Sequence, residues 1–244
     1  MRYMEQLCKA FRASMPGDTV LVTSSRAAGR RVLAAAAKHS GPLVGVRAET
    51  PLSLALDLCA GHLSGTDAPR LMDMDEAADL TAACMSKSGG VFGGGLANSP
   101  DAVRELCRTL RELDMEQVNE LPTDSKKLSD LKALRESYAA AKDRENLWDR
   151  ADLFRRAITE AEAFAGKSRY VTLPTVTYTA LERRLLDVLS GGEITVILMD
   201  TPQDAKLPHG ALGGGKEADP LAGWSERFPV SMKPWRRIRC SATF

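Results

Sequence analysis

Apolar positions along this chain follow two periods. Near the N-terminus, Met4, Leu7, Cys8 and Phe11 fall at helical spacing, and Pro16-Gly17-Asp18 breaks the helix. Thr19-Val-Leu-Val-Thr23 is a short apolar run of β-branched residues and predicts a buried strand. The Ala- and Arg-rich stretch Arg26–His39 predicts a second helix, Leu43-Val-Gly-Val-Arg47 a second strand, and Ser53–Leu63 a third helix capped by Thr50 or Ser53. Strands and helices alternating over short links are the pattern of a parallel sheet. From Asp73 to about Ala165 the pattern is helical throughout, with no strand expected. Helices are predicted over Asp75–Met85, Ala102–Leu113, Leu128–Asp143 and Asp149–Phe164, and Ser86–Pro100 reads as a loop around Gly93-Gly94-Gly95. Strand and helix then alternate again: strand Tyr170–Pro174, helix Thr179–Leu189, strand Ile194–Met199, and a last strand at Trp235–Cys240 beyond a Gly-, Pro- and Asp-rich loop. The expectation is an α/β fold in which residues 1–69 and 166–244 form a parallel sheet domain and residues 70–165 an all-helical insertion.

Composition narrows the functional classes. The 244 residues are 44% apolar and 27% charged, enough for a real core, and the net charge is +1. Nucleic-acid binding would therefore have to come from local patches. The five cysteines, Cys8, Cys59, Cys84, Cys107 and Cys240, are scattered without CxxC spacing, as expected of thiols in a reduced cytoplasm. His39, His62 and His209 are isolated from acidic or thiol partners at ligand spacing, so neither a metal nor another cofactor is expected. No apolar run approaches the ~20 residues of a membrane span, and the first residues lack a signal-peptide core. The expected location is cytoplasmic, away from the membrane.

Thr23-Ser-Ser-Arg-Ala-Ala-Gly-Arg-Arg31 follows a predicted strand and opens a helix, where a phosphate loop would sit. In a P-loop register only Gly29 matches; Ser24, Arg30 and Arg31 replace the first glycine, the lysine and the hydroxyl residue, so this is not an ATP loop. Asp149-x-x-Asp152-Leu153 lies about ten residues after Tyr138, ahead of the Tyr170 strand. Met199-Asp200-Thr201-Pro202-Gln203 follows another strand. Lys233–Arg239 is a compact basic run with one tryptophan, and it suits either single-stranded nucleic acid or the guarding of a sheet edge. Arg104, Arg108 and Arg111 share one helix face, flanked by Glu105 and Glu112, as on a solvated surface.

Together these segments resemble the UvrD/Rep-type DNA helicases. Val22–Ala28 is similar to motif Ia of that family and Thr50-Pro-Leu-Ser-Leu-Ala55 to motif Ib, both of which touch the backbone of single-stranded DNA. The resemblance gives Thr23, Ser25, Arg26, Thr50 and Ser53 as candidate DNA contacts. The same hydroxyls also suit plain helix capping, and both roles remain open. Tyr138, Asp149, Asp152 and Leu153 match the approach to the Walker B strand. Where the family carries the Asp-Glu pair that holds magnesium, this chain has Leu173-Pro174, and Asp200 and Gln203 match motif III. In this register the P-loop would precede residue 1, and an end just after a strand suggests a piece of a longer protein.

Loss of the ATPase motifs points within the family to AddB/RexB-like subunits, related to PD-(D/E)XK nucleases, that work in double-strand-break repair and recombination. The resemblance implies a P-loop-like sheet that does no chemistry itself and binds single-stranded DNA, a helicase–nuclease partner subunit, or both. The alternative is a docking scaffold of the same fold that does not bind DNA.

Overall fold

A computed structural model describes residues 2–12, 19–122 and 124–196. The predicted strand over 235–240, the basic run 233–239, the motif III-like Asp200 and Gln203, His209 and Cys240 lie outside the described residues.

The described chain is mixed α/β. Its elements in order are α1 (Arg2–Arg12), β1 (Thr19–Val22), α2 (Arg26–Ser40), β2 (Val46–Glu49), α3 (Pro51–Cys59), β3 (Arg70–Leu71), α4 (Met74–Lys87), α5 (Pro100–Met115), α6 (Lys126–Arg144), β4 (Leu147–Trp148), α7 (Arg150–Ala161), β5 (Arg169–Thr172), α8 (Ala180–Leu189) and β6 (Ile194–Val196). Short 3-10 turns occupy Gly94–Asn98 and Glu162–Phe164. The main sheet has the order β2-β1-β5-β6 and is parallel at every pairing, with Val20 opposite both Arg47 and Tyr170.

Side chains alternate across this sheet, so the two faces build separate cores. Val20, Val22 and Tyr170 point to one side and pack under α3, α7 and α8, through Leu54, Phe154, Leu181 and their neighbours. Leu21 and Val171 point to the other side and pack under α1 and α2, through Leu7, Phe11 and Ala36. The helix after β1 thus lies on one face and the helix after β5 on the other. Adjacent strands β1 and β5 therefore bracket the topological switch point of the sheet, the place where open parallel sheets gather ligands at their C-terminal ends.

The middle of the chain has a core of its own. Met85 of α4, Val103 and Leu110 of α5, and Leu134 and Tyr138 of α6 form a third apolar cluster. Two features depart from the helix-only expectation. Leu147–Trp148 pairs in parallel with Arg70–Leu71, a two-residue ladder that ties the entry of the insertion to its exit. Such a ladder is too short to leave an alternating pattern. Helix α7, expected with the insertion, buries Leu153, Phe154 and Ala157 in the same cluster as β1 and α3, so it packs as a layer of the sheet domain.

Helix starts follow local side-chain chemistry. Thr50/Ser53, Asp73/Glu76, Asp149/Asp152 and Thr179/Glu182 each form a reciprocal capping box, and Pro51 and Pro100 sit in the first turns of α3 and α5. Strand β2 begins later than its apolar run predicts. Gly41 and Gly45 both take positive φ, which bends the chain there and leaves Val44 exposed.

Candidate nucleic-acid interface

The two turns similar to motifs Ia and Ib lie side by side, because β1 and β2 are neighbours in parallel and both end at the same edge. Each turn opens a helix, α2 after Ser25 and α3 after Thr50. Helix N-termini present unpaired N–H groups and a partial positive charge, which favours anions.

The candidate contacts divide between surface and interior. Thr23 is 1% exposed; its hydroxyl donates to the Ser25 carbonyl at 2.9 Å, and its N–H to the Glu49 carbonyl at 3.0 Å. It fixes the turn from within and is not part of the outer surface, because the strand alternation points its side chain beneath α2. Ser25 is exposed, and its Oγ accepts the Ala28 N–H at 3.2 Å as the cap of α2. Thr50 Oγ1 accepts the Ser53 N–H at 3.1 Å, while Ser53 Oγ accepts the Thr50 N–H at 2.9 Å. Ser53 is 8% exposed and donates its proton to Glu49 Oε2 at 2.6 Å. Arg26 is exposed, and its Nη2 also meets Glu49 Oε2, at 3.1 Å.

Glu49 is the residue that motif comparison passed over. It closes β2 just before the Thr50 cap, and its carboxylate joins the two turns by accepting from both Arg26 and Ser53. An acidic residue between two anion-attracting turns lowers their field, and part of the capacity of Arg26 is spent on it. Beyond Arg26, however, Arg30 and Arg31 extend the positive charge along α2. Both are exposed, and neither has an ion-pair partner among the described residues.

The β5 end of the sheet shows what stands at the switch point. Leu173 is half-buried against the core under α1 and α2, Pro174 is exposed, and Val176 N–H closes a turn onto the Leu173 carbonyl at 3.1 Å. Above the seam of β1 and β5, Tyr178 Oη donates to the Val22 carbonyl at 3.2 Å and lies 2.5 Å from Thr172 Oγ1. Burial, above all, raises the Tyr178 phenol from its ordinary value, outweighing the lowering effect of the Thr172 hydrogen bond. A neutral phenol thus bridges the ends of β1 and β5, beside Leu173 and Pro174.

The Tyr138–Leu153 segment, similar in sequence to the approach to a Walker B strand, forms an ionic joint around a buried lysine. Lys142 on α6 is 4% exposed and places Nζ at 2.5 Å from both Asp149 Oδ2 and Asp152 Oδ2. The same ammonium lies 5.5 Å from the Tyr138 ring centroid. Asp149 also caps α7, accepting from the Ala151 and Asp152 N–H groups. Close by, Arg135 Nη2 meets Asp114 Oδ1 at 2.5 Å, joining α6 to α5. The Lys142 pairs, with Arg155 Nη2 of α7 at 3.6 Å from Asp114 Oδ1 of α5, fasten the helical insertion to α7 and so to the sheet domain.

The four described cysteines are buried and unpaired. Among the described residues no group of three or more His, Cys, Asp and Glu is placed to hold a metal ion, and no helix is long and apolar enough to cross a membrane. No protein-family model and no curated protein sequence matches this chain.

Proposed function

We propose that this chain is the helicase-like domain of a helicase–nuclease subunit in DNA break repair and recombination, with a P-loop-like sheet that has lost ATP hydrolysis. In this role it holds the backbone of single-stranded DNA across the α2 and α3 turns. The supporting observation is the adjacency of those turns at one sheet edge, with Ser25, Arg26 and Thr50 at their starts and the unpaired Arg30 and Arg31 continuing along α2. Guanidinium groups and helix N-termini recognise phosphates without reading bases. Leu173 and Pro174 offer no ligand for the magnesium that phosphoryl transfer uses, and Tyr178 covers the strand ends beside them.

A second reading, a protein-docking scaffold, has one observation in its favour: the Glu49 carboxylate sits between the turns and disfavours phosphate. The two readings separate in one experiment. Fluorescence anisotropy of a labelled oligonucleotide should show weak binding that falls with salt as counterions are released. Arg26→Ala and Arg30→Ala should each weaken it to a similar degree for every base sequence. Absence of binding at low salt, or binding indifferent to both changes, leaves the scaffold.

A further inference from the structure

A cleft of about 300 Å³ lies where the helical insertion meets the sheet domain. Its walls are largely apolar. Leu52 of α3 and Leu153 of α7 come from the sheet domain; Leu71, Met72, Ala77 and Tyr138 come from β3, the link after it, α4 and α6. A cleft of this size, at a junction of two cores, with few polar groups on its walls, is the usual form of a small-molecule site.

The charged groups on the wall say what such a molecule would carry. Four charged side chains line the cleft: Asp73, Arg111, Asp149 and Arg150. Three of them are already engaged. Asp73 caps α4 by accepting the Asp75 and Glu76 N–H groups. Asp149 is paired to Lys142. Arg150 meets Glu182 Oε1 at 2.6 Å. Arg111 differs. It is half-buried, and among the described residues its only hydrogen-bond or ion-pair partner is the Met74 thioether. It also leaves the pattern of its own helix face, where Arg104 and Arg108 pair with Asp101 and Glu105 in solvent. A half-buried guanidinium without a carboxylate keeps N–H donors available for an anion. Arg111 and Arg150 also line a second cleft of about 330 Å³, whose wall carries Glu112, Glu116 and Glu182 beside Arg108, so an anion is favoured on the apolar side of Arg111 and not on this one.

We infer that this junction is a binding site for a small amphipathic anion, its apolar body among Leu52, Leu71 and Leu153 and its carboxylate on Arg111. The cleft touches the first turn of α3 through Leu52, while Arg111 and the rest of its lining lie away from the α2 turn. A guanidinium–carboxylate hydrogen bond is roughly twice as strong as a neutral one, so it separates an acid from its neutral counterpart.

The probes are 4-phenylbutyrate and its neutral counterpart 4-phenyl-1-butanol, titrated against the full chain by calorimetry and ligand-detected NMR. The acid should bind saturably at one site and more tightly than the alcohol. Arg111→Met, which keeps the apolar stem, should weaken the acid about tenfold or more and leave the alcohol unchanged. Ala77→Leu, which adds bulk to the cleft wall, should weaken both. Circular dichroism melts establish that each variant is folded, and Arg111→Met strands no acidic partner. No saturable binding of the acid, equal binding of acid and alcohol, or an acid affinity that Arg111→Met leaves unchanged would overturn the assignment.

Discussion

Arg26 reaches across from the start of α2 to Glu49 at the end of β2, Nη2 to Oε2 at 3.1 Å, so one carboxylate holds the two anion-favouring turns together. Its removal should expose what the turns can do. Glu49→Gln keeps an acceptor for Ser53 and Arg26 but deletes the charge. Oligonucleotide affinity at low salt should then rise by several-fold, because a repulsive charge near the phosphates is gone and Arg26 is freed. The salt dependence should steepen by about one phosphate contact. An anisotropy series in which Glu49→Gln binds no better than the parent would count against phosphate binding at this edge.

Gly29 has a packing role that the phosphate-loop register disguised. A Cβ built on it would stand 2.5 Å from the Ala48 Cβ and 2.9 Å from Thr23 Oγ1. The glycine therefore lets α2 lie directly on β2. Gly29→Ala should destabilise the fold by about 1–3 kcal/mol, despite the better helix propensity of alanine, because the neighbours are a strand side chain and a buried threonine that cannot swing away. A urea melt with an unchanged midpoint would show that α2 can shift at little cost.

The parallel sheet was legible in the sequence because Thr19–Val22 and Tyr170–Thr172 are short buried runs, each followed by a side-chain-capped helix. The helical insertion was legible from period alone, but its limit was not. Helix α7 has the same helical signature whether it packs on helices or on a sheet, so only the cluster containing Phe154 and Val20 assigns it. The motif-like hydroxyls were found at the expected turns, yet Thr23 and Ser53 point inward. Motif similarity carries residue type and spacing, and strand alternation decides which side is wet. Glu49 was missed, and Arg111 was read as part of a solvated face, for a related reason: the first gains its role from Arg26, 23 residues away, and the second differs from Arg104 and Arg108 in having no carboxylate partner among the described residues.

Cys59 should be chemically silent in the folded protein. Burial, with a smaller contribution from Glu160, pushes its thiol up to about 11, and Sγ donates to the Leu153 carbonyl across the α3–α7 contact. The thiolate is the reactive species, so at pH 8 Cys59 should resist iodoacetamide for as long as the native state persists and react once urea unfolds the chain. Peptide mass mapping after timed alkylation gives the answer residue by residue. Prompt native-state labelling of Cys59 would mean that the α3–α7 contact opens locally.

Lys142 is the residue on which the joint between the two cores should prove most dependent. Burial alone would lower its pKa, but Asp149 and Asp152 outweigh burial and hold it above the ordinary lysine value. Asp149 is held below the usual carboxylate range: burial raises it, and the Lys142 ammonium more than reverses that effect. Asp152 is pushed up, first by burial and then by Asp149. The signs follow from linkage. The Lys142 contribution is complete below the unfolded lysine pKa and is lost as pH rises through its raised folded value. The Asp149 contribution is present above the unfolded aspartate pKa and is lost as pH falls through its lowered folded value, while Asp152 acts in the opposite sense in acid. Lys142→Met leaves the half-buried Asp149 without a cation and Asp152 with Arg155 alone, and should cost up to about 3–5 kcal/mol at neutral pH. Because protonation relieves those carboxylates, the deficit should narrow as pH falls from 7 toward 5. Urea denaturation of parent and variant at both pH values tests this directly. A deficit that is constant with pH would assign the loss to packing against Tyr138 instead of to the ionic joint.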